Sequence, residues 1–280
     1  MRRLFSRLLI RLYAKKGITI TRFQEEFLLG KKYKVLSGSI KKRLDYDSAW
    51  LFALAHDAEI VFDIGCNIGQ SALLMMHTNH IQEIVLVEPN PSALGQAANN
   101  LIFNHLSQKA HFVCAFASDE EGQEVTFYTV GAGAAGSMYS THAQTAARMH
   151  SSISVPTITI DALVEDYQMI PDLVKIDVEG AETKVLSGSG KLAAKQKTRF
   201  FVEVHSSPIS MSDNATKIID WCHNNDYQAW YLKEKVLLTD PNQIAHRGRC
   251  HLLLLPKNQS FPEYLRPLKQ GARLEEVSGL

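Results

Sequence analysis

At 280 residues the chain is long enough to bury one sizeable core with appendages. Its 45% hydrophobic and 21% charged residues are those of a folded globular protein and exclude a disordered or fibrous chain. Thirty basic against 29 acidic residues leave a formal charge of +1, so no net field favours a nucleic-acid partner or an acidic polymer.

Met1–Lys16 interleaves Arg3, Arg7 and Arg11 with a Leu4, Leu8 and Leu12 stripe, extended by Phe5 and Leu9, which reads as a basic amphipathic helix. Two readings fit it, an interfacial helix on a membrane surface and a capping helix packed on the domain. The segment is a poor signal peptide, because Arg7 and Arg11 break the apolar run and no small-residue cleavage site follows. No stretch reaches the ~20 apolar residues of a spanning helix. The four cysteines (Cys66, Cys114, Cys222 and Cys250) lack the paired spacings of a zinc site or a disulfide framework. A cytoplasmic protein is expected, with peripheral contact on the inner membrane face if residues 1–16 bind lipid.

From Glu59 onward β-rich runs alternate with helical stretches, which predicts an α/β domain with a mostly parallel, Rossmann-like sheet covered by helices on both faces. The expected strands are Ile60–Ile64, Ile84–Val87, His111–Phe116, Leu173–Ile176 and Phe200–Val204, with helices at Gly69–His80 and Pro91–Leu106. An insertion over about 122–160 holds a strand at Glu124–Val130, a glycine- and alanine-rich loop from Gly131, and a second β-rich run at Val155–Ile160. Gln228–Leu232, Val236–Leu238 and Cys250–Leu255 predict a closing hairpin with an antiparallel strand. The expected organisation is a lead-in over 1–44, the α/β domain over 45–256 and a tail over 257–280.

The segment Val61–Gln70 is a buried strand that ends in a glycine turn and opens a helix. Gly65 and Gly69 clear side chains where free backbone N–H groups face an incoming ligand, and Asn67 between them is a further candidate cofactor-binding residue. The spacing G-x-x-x-G is not that of dinucleotide dehydrogenases, and no phosphate-gripping lysine follows. Asp63, just before the turn, suits a cationic or polar ligand end. The strand Ile84–Val87 runs into Glu88, Pro89 and Asn90, and an acid 23 residues beyond Gly65 suits the vicinal hydroxyls of a ribose. Ser118 and Asp119 follow the third strand, where an adenine amino group would lie; alone they are a turn signal. Lys175, Asp177 and Glu179 share one strand face, as do Glu203 and His205 on the next. Two readings coexist there: a catalytic cluster, and an ion-pair network in which Lys175 neutralises Asp177 or Glu203.

The block Asp172–Glu182, followed by Phe201–His205, resembles the FkbM-type methyltransferase family. Further landmarks follow the same order, namely Val61–Gly69, Val87–Asn90, Ala117–Asp119 with Gly122, and Thr159–Leu163. The resemblance covers Ile60 to His205 and implies a class I methyltransferase fold, S-adenosylmethionine as donor, and a small-molecule, glycan or lipid-linked hydroxyl as acceptor. His205 is then the first candidate base, Asp177 the second, with Glu179, Glu203 and Lys175 in support. A divalent ion such as Mg²⁺ on Asp177, Glu179 and Glu203 is the less favoured alternative, so no metal ligand is assigned. The rival classes are a nicotinamide-dependent oxidoreductase and a catalytically inactive nucleotide-binding module.

Overall fold

A computed structural model describes residues 23–36, 39–40, 45–129, 136–139, 143–149, 151–205 and 211–277. The amphipathic segment Met1–Lys16 and the loop 131–135 lie outside the described residues. In chain order the strands are β1 (Phe23–Leu28), β2 (Lys31–Leu36), β3 (Ile60–Ile64), β4 (Glu83–Val87), β5 (Ala110–Val113), β6 (Phe116–Ala117), β7 (Glu124–Tyr128), β8 (Ser152–Ile158), β9 (Leu173–Ile176), β10 (Arg199–Val204), β11 (Tyr227–Tyr231), β12 (Val236–Leu238) and β13 (Cys250–Pro256).

The main sheet has the order β12-β11-β13-β10-β9-β3-β4-β5. Strands β3, β4, β5, β9 and β10 are parallel neighbours, and β13 runs antiparallel between β10 and β11. This is the expected α/β architecture, with one refinement: the closing hairpin is β11–β12 alone, and β13 inserts beside it.

Alternation along each strand divides the core in two. Val61, Ile84, Leu86, Leu173, Phe201 and Leu253 face one layer with Trp50, Leu54, Met75 and Leu101; Phe62, Ile64, Val85, Val174, Phe200 and Val202 face the other with Ile218 and Trp221. Each fully buried large side chain contributes about 1.5–3 kcal/mol, so both layers pin the register that aligns the strand ends.

Three segments depart from expectation. The third strand is shorter than His111–Phe116: β5 stops at Val113, and Phe116–Ala117 leaves to pair with β8 in a second sheet, β6-β8-β7. The insertion is thus a small sheet with its own core of Phe116, Phe127, Val155 and Ala181. Within the lead-in, β1 and β2 form a hairpin turned by Leu29 and Gly30, both at positive φ, and fastened by Asn100, whose Oδ1 accepts from Leu36 N–H at 2.8 Å. Finally, the segment expected as a tail packs back on the Ser48–His56 helix and on Trp230 of β11, burying Phe261, Leu265, Leu268, Leu274 and Val277. No helix among the described residues is long and apolar enough to cross a membrane.

Candidate active site

The glycine turn is built by exclusion. Gly65 has φ +78°, and a Cβ there would lie 1.9 Å from the Asp177 carbonyl oxygen. Only glycine lets β3 leave the sheet against the end of β9. Gly65 and Cys66 N–H donate to Val87 O at 2.9 and 3.1 Å, tying the turn to the end of β4. Gly69 (φ +79°) precedes the Gln70–Met76 helix and packs on Ala97, where a Cβ would come within 2.9 Å. Asn67, also at positive φ, turns its N–H to Glu88 Oε2 at 3.0 Å and leaves its buried Oδ1 without a partner.

Glu88 is buried, and Asn90 N–H donates to its other oxygen at 2.9 Å. Burial pushes its carboxyl up to about 7 against the opposing pull of these two amides. Asn90 caps the Pro91–Phe103 helix and donates through Nδ2 to Thr129 Oγ1 at 3.0 Å. Asp63 takes a supporting place. It is fully buried, accepts from Ser71 Oγ at 2.5 Å and lies 3.3 Å from Lys175 Nζ. Lys175 donates to Gly65 O at 3.0 Å and sits 3.4 Å from Asp177. Burial opposes its charge, but Asp63 and Asp177 outweigh that and hold it protonated. Of the two partners expected for Lys175, Asp177 is one it meets, while Glu203 pairs with Arg249 instead; Asp63 is a second, unexpected partner, and the ammonium braces the turn.

At the ends of β9 and β10 four carboxylates surround His205. Nδ1 donates to Glu182 Oε1 at 2.8 Å, while Nε2 lies 3.4 Å from Glu179, 3.8 Å from Asp177 and 4.0 Å from Glu203. Nε2 is buried and has no hydrogen-bond partner. Burial opposes a charge on the ring, but the bond to Glu182 and the acids around it raise its pKa to about 9. Burial likewise raises Asp177, which Lys175 and His205 counter. Glu203 is held far below the usual carboxylate range: burial opposes, and His251 and Arg249 prevail.

Two cavities meet at Gly65, Asn67, Asp177 and Glu179, which line both. The smaller, about 70 Å³, is walled by Glu88, Pro89, Ala115, Phe116, Ala117 and Phe127. The larger, about 430 Å³, opens on the other side towards Tyr46, Asp47, Gln70, Lys175, Glu203 and Arg249. The expected residues Gly65, Asn67, Glu88, Pro89, Lys175, Asp177, Glu179 and Glu203 thus converge; His205 lines neither cavity and stands behind Asp177 and Glu179. Asp63, Gly69 and Asn90 support the walls from outside. Ser118 and Asp119 line neither cavity; Ser118 Oγ donates to Asp119 at 2.8 Å, and Asp119 is paired with Lys184 at 3.0 Å.

Sequence reasoning assigned no role to Glu182, Tyr46, Asp47, Arg249 or His251. Glu182 stands inside the very block that carries the family resemblance, and its near-complete burial, 1% exposed, is set by the packing of the Glu182–Ser187 helix. The others come from segments distant in sequence, where no local motif marks them.

The sheet order, the glycine turn and the acidic strand ends together define the class I methyltransferase fold. The chain belongs to the FkbM methyltransferase domain family, whose model matches residues 63–229, more than half of its length. No curated protein matches it. Among solved structures it is similar to a methyltransferase FkbM from Methylobacillus flagellatus (16% identity, 71% of this chain and 44% of that chain, TM-score 0.47). It spans less than half the length of that protein. It is also similar to M. jannaschii TYW2 in complex with AdoMet (11% identity, 85% and 86% covered, TM-score 0.43). A third likeness is to a precorrin-6y C5,15-methyltransferase from Geobacter metallireducens (12% identity, 74% and 84% covered, TM-score 0.41).

Proposed function

We propose that this protein is an S-adenosylmethionine-dependent O-methyltransferase acting on a hydroxyl of a small molecule, a glycan or a lipid-linked compound. The observation that carries the reading is the pair of cavities joined at Gly65, Asn67, Asp177 and Glu179. Such a partition sets two different ligands edge to edge, which is what group transfer between them requires.

The residues present fit the donor. The Glu88 carboxylate keeps lone pairs beyond the two amides it already accepts, and these suit a ribose diol. Phe116 and Ala117 offer an apolar bed for a base, and Asn67 Oδ1 is a buried acceptor awaiting a donor. When bound, the cofactor supplies a methyl group on a sulfonium, a leaving group that needs no protonation. The smaller cavity lies well below the roughly 300 Å³ at which ligand pockets usually begin, so as it stands it takes only part of the donor.

The protein's own task is the acceptor proton. His205 Nε2, which lines neither cavity, receives the hydroxyl proton through Asp177, which lines both, as the oxygen takes the methyl group. The ring starts protonated, since Glu182, Glu179 and Asp177 outweigh burial and hold its pKa near 9. A cationic ligand beside Asp177 disfavours that second proton and frees Nε2. Glu182 fixes the ring through Nδ1, and Lys175 holds Asp177 in place. The membrane contact expected of residues 1–16 belongs to the same proposal, for an acceptor carried on a lipid.

The test combines binding and turnover. S-adenosylhomocysteine should raise the melting temperature where NAD does not. Wild type should release S-adenosylhomocysteine with one or more members of a hydroxylated acceptor panel, while His205→Ala and Asp177→Asn bind it but do not turn over. Normal turnover in both variants would overturn the roles, and stabilisation by NAD alone would overturn the donor.

A further inference from the structure

We propose that Asp47, Glu203 and His251 form a binding site for a first-row divalent cation, of the kind represented by Mn²⁺ and Zn²⁺, in the wall of the larger cavity. The three side chains arrive from separate elements. Glu203 on β10 and His251 on β13 are directly paired across the antiparallel ladder, so their side chains share a face. Asp47 stands at the N-cap of the Ser48–His56 helix. An aspartate there ordinarily accepts from the first free N–H groups, yet its side chain makes no capping bond and turns towards the histidine.

The decisive atom is His251 Nε2. The residue is 2% exposed, and this nitrogen is buried with no hydrogen-bond partner. It lies 3.6 Å from Asp47 Oδ2 and 3.6 Å from Glu203 Oε2, too far for hydrogen bonds. One ligand atom from each of the three residues lies within 4.8 Å of the others. Ligands bound at about 2.1 Å in a tetrahedral set stand roughly 3.4 Å apart, close to the 3.6 Å that separates His251 Nε2 from each carboxylate. The ring's direction is fixed by stacking on Phe201 at 5.5 Å and by edge contact with Tyr46 at 5.3 Å.

Glu203 divides its oxygens. Oε1 receives Arg249 Nε and, at 3.4 Å, the Tyr46 hydroxyl, which leaves Oε2 to the site. One imidazole and two carboxylates make a borderline donor set that suits Mn²⁺ or Zn²⁺ better than Ca²⁺. Asp47 and Glu203 line the cavity, so further coordination positions open onto it. A second trio, Asp177, Glu203 and His205, shares Glu203, which decides the choice of variants below.

The experiment titrates Mn²⁺ into the chelator-stripped full chain by calorimetry, in mildly alkaline buffer because ligation requires a neutral imidazole. One site per chain is expected, with a rise in melting temperature. Asp47→Asn and His251→Gln should each weaken binding at least about tenfold, while His205→Gln leaves it within a small factor. Asp47→Asn is isosteric on a partly exposed side chain and keeps the test readable if His251→Gln fails to fold. Absence of binding to wild type would overturn the site, as would binding that is unchanged in Asp47→Asn or lost in His205→Gln. Because the readout is metal affinity and not turnover, the site stands or falls apart from the methyl-transfer reading.

Discussion

Glu182 Oε1 lies 2.8 Å from His205 Nδ1, and the same carboxylate oxygen accepts Gly180 N–H at 2.9 Å. A single acid therefore sets both the ring and the turn that carries Glu179. Glu182→Gln should lower the imidazole pKa from about 9, because it removes an anion bonded to the charged form. Because the proposed base acts as the neutral ring, the substitution should also move the rise of turnover with pH to lower pH. Histidine NMR titration reads the first effect without reference to activity, and an unshifted His205 would refute it. For stability the sign follows from the raised value. The contribution of His205 is full below the unfolded value near 6.5 and is lost as pH rises through about 9.

Under the proposed function, with Glu88 on the ribose, nucleotide affinity should depend on pH. Burial raises its carboxyl to about 7, and a ribose diol requires the ionised, acceptor-only form. Affinity for S-adenosylhomocysteine should climb from about pH 6 to about pH 8, and Glu88→Gln should be weaker by about tenfold and flat over that range. Calorimetry at three pH values checks both. The stability sign is that of a raised acid: the contribution is full below the unfolded value near 4.5 and is lost as pH rises through about 7.

Two glycines at positive φ provide a matched pair. A Cβ at Gly65 would meet backbone at 1.9 Å, whereas one at Gly30 (φ +75°) meets nothing within 4 Å. Gly30→Ala should cost about 1 kcal/mol, the conformational penalty alone. Gly65→Ala should cost several times more, because the Asp177 carbonyl cannot yield without distorting β9. Denaturant unfolding of both variants decides it; equal losses would remove the packing argument.

Acid should loosen the contact between the hairpin and the helices beneath it. Tyr33 OH and His77 Nδ1 lie 2.8 Å apart, and the His56 and His80 rings are 5.2 Å apart. Burial lowers both His56 and His77, with His80 adding repulsion on His56 and Lys31 on His77. Their contribution is therefore full above about pH 6.5 and is lost as pH falls through the lowered folded values. The melting temperature should drop between about pH 7 and about pH 5, less so in His77→Gln; an identical drop in the variant would contradict this.

The strand ends were legible because each joins a local pattern to a turn: Val61–Gly69 and Leu173–Glu179 announce both a buried run and the polar residues at its exit. The early end of β5 was hidden, since Cys114 and Ala115 continue the apolar run while Phe116 already pairs with Thr157 in another sheet. The β1–β2 hairpin was missed because it turns on Leu29-Gly30 and not on an asparagine- or aspartate-glycine pair. Packing of Phe261 to Val277 is a tertiary choice that short apolar fragments do not advertise. The same holds for His251, whose meaning comes from lying opposite Glu203.

Four residues serve as a common partition between two chambers, and that arrangement separates what is negotiable from what is not. Replacing Gly65, Asn67, Asp177 or Glu179 alters the fit on both sides at once. Tyr46, Gln70 and Arg249 face only the roomier chamber, so under the proposed function variation there should retune which molecule is accepted while the smaller chamber keeps its shape. An engineer seeking new acceptors should work on that far wall and leave the partition intact.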